Sequence, residues 1–218
     1  NLSPLTNITK LYHLDASNTF INDLSPLKNI ECLYYLNLEA SQVTDLTCLN
    51  NLKSLNELNI SNTKVTSLDA LNGMSHLNKI YCDNSLITKE IAQQYKRSNP
   101  NVLVINESNA LTLWWNELPS FWKTLLTNHT NTTINPTKEE LHSIINIRSL
   151  KVDPFIHDAE PISRLTSLET LDISDSKIDD LTPLSNLHNL KSLNIKNTIV
   201  SDLAPLSNCN NLREINIE

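Results

Sequence analysis

The sequence predicts an α/β solenoid: a right-handed coil of short repeats with a concave parallel β-sheet, short 3₁₀ or single-turn helices on the convex side, and one helical insertion. Three observations predict it. In residues 183–204, Leu184, Leu187, Leu190 and Leu193 step by three, and Leu193 to Ile195 steps by two. A period near three suits a tight helical turn, and a period of two suits a strand. The same 22-residue unit recurs from Pro4, Pro26, Cys48 and Ala70, and again from Pro161 and Pro205, with its register kept. A unit this short cannot bury its own apolar edge and needs a copy of itself on either side. The third observation is the interruption: residues 107–139 carry no repeat, yet hold all three tryptophans.

Each element has a local cause. Residues 1–2 read as the tail of a preceding coil. In the four coils that follow, Ser3, Ser25, Thr47 and Asp69 stand at the turn start, before proline in the first two. A polar N-cap followed by proline at the first helical position starts a helix, because the side chain accepts orphan N–H groups and proline pre-sets φ. Strands are expected around Asp15, Asn37, Asn59 and Tyr81, in parallel at about 4.8 Å spacing. Residues 89–97 read as a longer helix ending before Pro100, and residues 101–105 as a strand closing the first array. Two helices, 112–118 and 120–126, are split by Pro119, and the polar run 127–135 reads as a loop. Thr137 and Glu140 form a capping box for a helix reaching Ile147. There the repeat resumes as Leu141, Ile144, Ile147, Leu150 and Val152, one residue short in the turn holding Pro154. The chain thus divides into a first array (1–106), a Trp-rich insertion or cap (107–139) and a second array (140–218). The insertion reads as an apolar plug over an open solenoid end; either two arrays meet at it or one continuous solenoid bulges there, and a continuous sheet is the expectation.

Composition removes several classes of function. The formal net charge is −7 and only 19% of residues are charged, which argues against nucleic acid, since that needs a basic stripe. No apolar run approaches the roughly 20 residues that cross a bilayer, so no membrane insertion is expected. The single glycine, Gly73, rules out the glycine-patterned phosphate loops and the nucleophile elbow. Cys32, Cys48, Cys82 and Cys209 have no metal-like spacing, and Cys82 and Cys209 replace core residues, so free thiols are expected. His157, Asp158 and Glu160 form only a short cluster, and Asp180 matches the turn residues Asp23 and Asp202. No catalytic residue, metal or cofactor follows.

The repeat, down to the DLSPL turn at residues 23–27, resembles the bacterial 22-residue class of leucine-rich repeats found in internalins, over most of the chain. The resemblance implies that strand residues between the core leucines face the concave side. These fall in three columns. The first is His13, Tyr35, Glu57 and Lys79, continued by Ser149, Thr170, Ser192 and Glu214. The second is Asp15, Asn37, Asn59 and Tyr81, continued by Lys151, Asp172, Asn194 and Asn216. The third is Ser17, Glu39, Ser61 and Asp83, continued by Asp153, Ser174, Lys196 and Glu218. It also implies a non-enzymatic module binding a protein partner there, through His13, Asp15, Tyr35, Asn37, Glu39, Glu57, Asn59, Lys79, Tyr81 and Asp83. Tyr35 and Tyr81 are the expected anchors, because interfaces draw most of their energy from a few Tyr, Trp and Arg side chains. After each strand a hydroxyl (Thr19, Ser41, Thr63, Ser85, Ser176, Thr198) replaces the asparagine usual in such repeats and is expected to bond the neighbouring backbone. A glycan-binding patch at Trp114, Trp115 and Trp122, or a structural spacer in a longer surface protein, is the alternative. The resemblance favours a secreted or surface location, while unpaired cysteines are also at home in the cytoplasm.

Overall fold

The computed structural model describes residues 1–217. The strands pair in two parallel sheets. One holds β1 (His13–Asp15), β2 (Tyr35–Asn37), β3 (Glu57–Asn59), β4 (Lys79–Tyr81) and β5 (Leu103–Ile105), in that order. The other holds β6 (Ser149–Lys151), β7 (Thr170–Asp172), β8 (Ser192–Asn194) and β9 (Glu214–Asn216). Among the described residues no ladder joins β5 to β6, so the expected continuity of the sheet is not found. The chain separates into two compact units, Asn1–Ala110 and Leu111–Glu218.

Register follows the repeat without a slip. Leu14, Leu36, Leu58 and Ile80 are partners across β1–β4, and Leu150, Leu171 and Leu193 across β6–β8. Leu36, Leu58 and Ile80 are completely buried. Each coil also donates to the next: Ala16 N–H to the Asn37 carbonyl, Leu38 N–H to Asn59 and Ile60 N–H to Tyr81, each at 2.8 Å.

The turns differ from expectation in two ways. Ser3, Ser25, Thr47 and Asp69 are the first residues of their 3₁₀ turns, not N-caps, and the leucines before them carry no side-chain cap. The acceptor comes two residues upstream: Asp23 Oδ1 accepts Ser25 N–H, and Asp45 Oδ1 accepts Thr47 N–H, both at 2.8 Å. Asp180 and Asp202 do the same for Thr182 and Ala204. An aspartate reaching the N–H two residues on closes an Asx turn before the hydroxyl is needed. Second, the hydroxyls after the strands do not bridge coils. Thr19, Thr63, Ser85 and Thr198 each donate to the carbonyl three residues back in their own coil. At these four positions the hydroxyl satisfies its own turn, while Ser176 Oγ accepts the Ile178 N–H and the buried Ser41 Oγ finds no partner.

The backbone takes positive φ shortly after the strand at Asn18, Ala40, Asn62 and Asn84, and again at Asp175 and Asn197. Asn and Asp tolerate this left-handed conformation because their short polar side chains bond locally. They also form part of a cross-coil amide ladder: Asn84 Nδ2 donates to Asn62 Oδ1, and Asn197 Nδ2 to Asp175 Oδ1. Ala40 (φ 53°) is the exception. Its Cβ has no compensating bond, so Ala40→Asn or Ala40→Gly should stabilise the fold by about 0.5–1 kcal/mol, read as a raised midpoint in urea denaturation.

Helices close the first sheet. α1 (Lys89–Ser98) starts at Thr88, whose side chain accepts Ile91 N–H, and its buried Tyr95 donates to the Leu71 carbonyl at 3.1 Å. α2 (Ser108–Glu117), which starts in the first unit, α3 (Ser120–Thr130) and α4 (Lys138–Ile145) supply Leu111, Trp115, Leu118, Trp122, Leu126, Leu141 and Ile144 to the core of the second unit, shared with β6–β8. α2 and α3 are longer than expected, and α3 includes 127–130, read from sequence as loop: Thr127 and Thr130 donate their hydroxyls to carbonyls four residues back, which lets polar residues sit inside a helix. The capping box is present, with Glu140 N–H to Thr137 Oγ1 at 3.2 Å and Thr137 N–H to Glu140 Oε2 at 2.7 Å.

Cys82 and Cys209 are buried, Cys32 is exposed and Cys48 lies between, all as free thiols. Burial, reinforced by the charge of Asp83, pushes the Cys82 thiol up to about 12. A thiol-specific colorimetric reagent should therefore titrate Cys32 at once, and Cys82 and Cys209 only on unfolding. Because the folded state holds the Cys82 proton more tightly than the unfolded chain, its contribution to stability is complete below about pH 9 and is lost as pH rises towards 12.

Candidate partner interface

The parallel ladder sets the sheet-face residues of the first unit in rows. His13, Tyr35, Glu57 and Lys79 are register partners in one row, and Asp15, Asn37, Asn59 and Tyr81 in the next. Leu103 and Ile105 of β5 extend these two rows. Tyr35 and Tyr81 therefore stand in different rows, two strands apart.

Several of the residues singled out from sequence hold the strand ends together. Asp15, Asn37 and Asn59 each accept the N–H two residues on, at Ser17, Glu39 and Ser61 (2.9–3.0 Å). This caps the strand where the chain turns away. Asn37 is only 8% exposed. Asp83 is equally enclosed, and its carboxylate accepts both the backbone N–H (2.8 Å) and the hydroxyl (2.7 Å) of Ser108 at the start of α2. Sequence spacing held no signal for that bond, since the partners are 25 residues apart. Glu39 takes amide donors from Asn59 and Asn62 at 3.3 and 3.1 Å. Glu57 meets Lys79 at 3.8 Å.

The aromatic residues gather at β1 and β2. The His13 and Tyr35 rings stack 4.2 Å apart and 6° from parallel. On the adjoining position before each strand, Tyr12 and Tyr34 stack at 4.9 Å and 10°. Tyr12 is 58% exposed and Tyr34 38%. In-register parallel strands bring like positions within stacking range, so a ring repeated at one coil position makes a pair. The Tyr35 phenol is raised above its ordinary pKa by burial first, then by the carboxylates of Glu57, Asp15 and Glu39.

The tryptophans do not share one surface. Trp115 and Trp122 are buried, and their indole N–H groups donate to the carbonyls of Ile134 (3.1 Å) and Asp158 (3.2 Å). Trp114 is partly buried against the same core. An aromatic cluster unforeseen from sequence sits nearby, where Phe121 meets Phe155 and His157 edge-on at 6.4 Å. Asp158 Oδ1 accepts Glu160 N–H, a turn bond like that of Asp23. Among the described residues no group of three or more His, Cys, Asp or Glu side chains is placed to hold a metal, and no helix is long and apolar enough to cross a membrane. Glu218, the last of the third column, lies outside the described residues.

A 22-residue coil, one short strand per coil and an unbroken leucine ladder in each unit define a leucine-rich-repeat solenoid. Among solved structures it is similar to internalin C2 from Listeria monocytogenes (23% identity, covering 98% of this chain and 74% of that one, TM-score 0.43). It is also similar to another Listeria monocytogenes internalin (21%, 100% and 64%, TM-score 0.44) and to a leucine-rich-repeat protein of Leptospira interrogans (17%, 99% and 57%, TM-score 0.39). The chain spans less than two thirds of the last two. No protein-family model matches the sequence, and no curated protein matches it.

Proposed function

We propose that the chain is a non-enzymatic recognition module that binds a protein partner on the sheet face of its first unit. The observation that carries this reading is the pair of aromatic stacks at β1 and β2, with Tyr12 and Tyr34 open to solvent on a backbone fixed by the ladder. Aromatic rings on a rigid surface give contact area at low ordering cost, which is where interface energy concentrates. Tyr81, two strands on, widens the face. The glycan reading draws less support, because of the three tryptophans only Trp114 keeps any ring surface outside the core.

The test begins with peptides selected on the purified protein from a displayed random library and mapped by amide hydrogen exchange. Protection should fall on β1–β4. Tyr35→Ala combined with Tyr81→Ala should raise Kd at least about 30-fold, the size of a 2 kcal/mol hot spot, with the unfolding midpoint unchanged. Unchanged affinity in the double variant would refute the reading.

A further inference from the structure

We propose that this face selects a cationic partner, with Tyr35 as the platform for an arginine or lysine side chain and Glu57, Glu39 and Asp15 as its counter-charges. The inference rests on the sheet-face reading above and adds the chemistry of what is bound. Asp15 lies in β1, Glu39 just beyond β2 and Glu57 in β3 beside Tyr35, and among the described residues only Glu57 of the three has a lysine within ion-pair reach. Glu39 is held by two neutral amides, those of Asn59 and Asn62. Asp15 accepts the Ser17 backbone N–H, and its other neighbours are the Ser17 hydroxyl, the Asn37 amide and the His13 ring. Glu57 has Lys79 at 3.8 Å, beyond hydrogen-bond distance, with the lysine side chain 41% exposed. Carboxylates therefore outnumber lysines next to an aromatic ring that His13 braces at 4.2 Å. The raised Tyr35 phenol reports the same field, since after burial its causes are these three carboxylates.

That combination suits a cation over a ring. A guanidinium or ammonium is drawn to the face of tyrosine and pairs with carboxylates at the rim. An anionic or purely apolar segment would leave the carboxylates facing like charge or losing water without return. The chain's overall charge of −7 adds long-range attraction that speeds encounter at low salt.

The experiment is an NMR titration of the whole chain with acetyl-Arg-Arg-amide at pH 7.5 and low salt, against acetyl-citrulline-citrulline-amide, which keeps the shape and loses the charge. Saturable shifts are expected at the amides of Tyr35, Glu39 and Glu57, with the citrulline probe at least about tenfold weaker. Glu39→Gln with Glu57→Gln, which preserves side-chain volume, should raise Kd about tenfold, while Glu117→Gln in α2 leaves it unchanged. Equal shifts from the two probes, or arginine-dependent shifts centred outside β1–β3, would overturn the proposal. The selected peptides separate it from the parent reading. Peptides that need Tyr35 but carry no arginine or lysine overturn the cationic assignment and leave the sheet-face reading standing. Peptides indifferent to Tyr35→Ala and Tyr81→Ala overturn both. Basic peptides that weaken in the double glutamine variant support both.

Discussion

Replacing Trp122 with alanine is expected to cost about 3–5 kcal/mol of stability, the upper range for emptying an aromatic site in a packed core. The indole is completely enclosed and is the largest fully buried side chain of the protein. It packs in one core with Leu126, Leu141 and Leu150, so its removal opens a void that helices α3 and α4 cannot close without leaving the sheet. Its N–H also ties α3 to the Asp158 carbonyl in the turn after β6. Urea denaturation followed by circular dichroism checks the figure. Trp122→Phe should recover part of the loss, because the ring returns without the hydrogen bond. A cost below about 1 kcal/mol for alanine would show that α3 is not part of the core.

Leu58→Ala is the second large effect, at about 2–5 kcal/mol. Leu58 lies in β3 with Leu36 on one side and Ile80 on the other, all three fully buried. Neighbours fixed on both sides cannot move in to fill a cavity. Leu14, the same repeat position in β1, is only half-buried and has a ladder partner on one side. Leu14→Ala should cost about half as much or less, since less apolar area leaves water. Equal costs at the two positions would contradict a coil stability set by nearest neighbours.

Most of the fold could be read from the sequence because a solenoid repeats one decision. The three-three-three-two leucine spacing fixes both the strand position and which side chains turn inward, and every coil confirms the last. The face rows follow from that register alone, as the pairing of His13 with Tyr35 and Glu57 shows. What stayed hidden depends on contacts without a period. The Asp83–Ser108 bond, the indole bond of Trp122 to Asp158 and the Phe121–Phe155 contact each join residues 25 to 36 apart in segments that do not repeat. The turn acceptor was half legible: the match of Asp180 to Asp23 and Asp202 marks these aspartates as turn hydrogen-bonders, but only geometry shows that they, and not Ser25, cap the 3₁₀ turn. The break in the ladder between β5 and β6 had no residue-level signal, since strand-forming sequence resumes in phase after the insertion.

The coil between β6 and β7 is one residue shorter than the rest, and the deficit falls in the turn at Pro154, where Phe155 stands 61% exposed. A lost residue is tolerated in that turn because no ladder bond crosses it; inside β7 the same loss would swap every inward leucine for an outward polar residue. Evolution of such a chain is thereby channelled. Tandem duplication or excision of a complete coil leaves all later side chains in phase, so unequal recombination can lengthen or trim the array while the sheet-face rows are inherited intact.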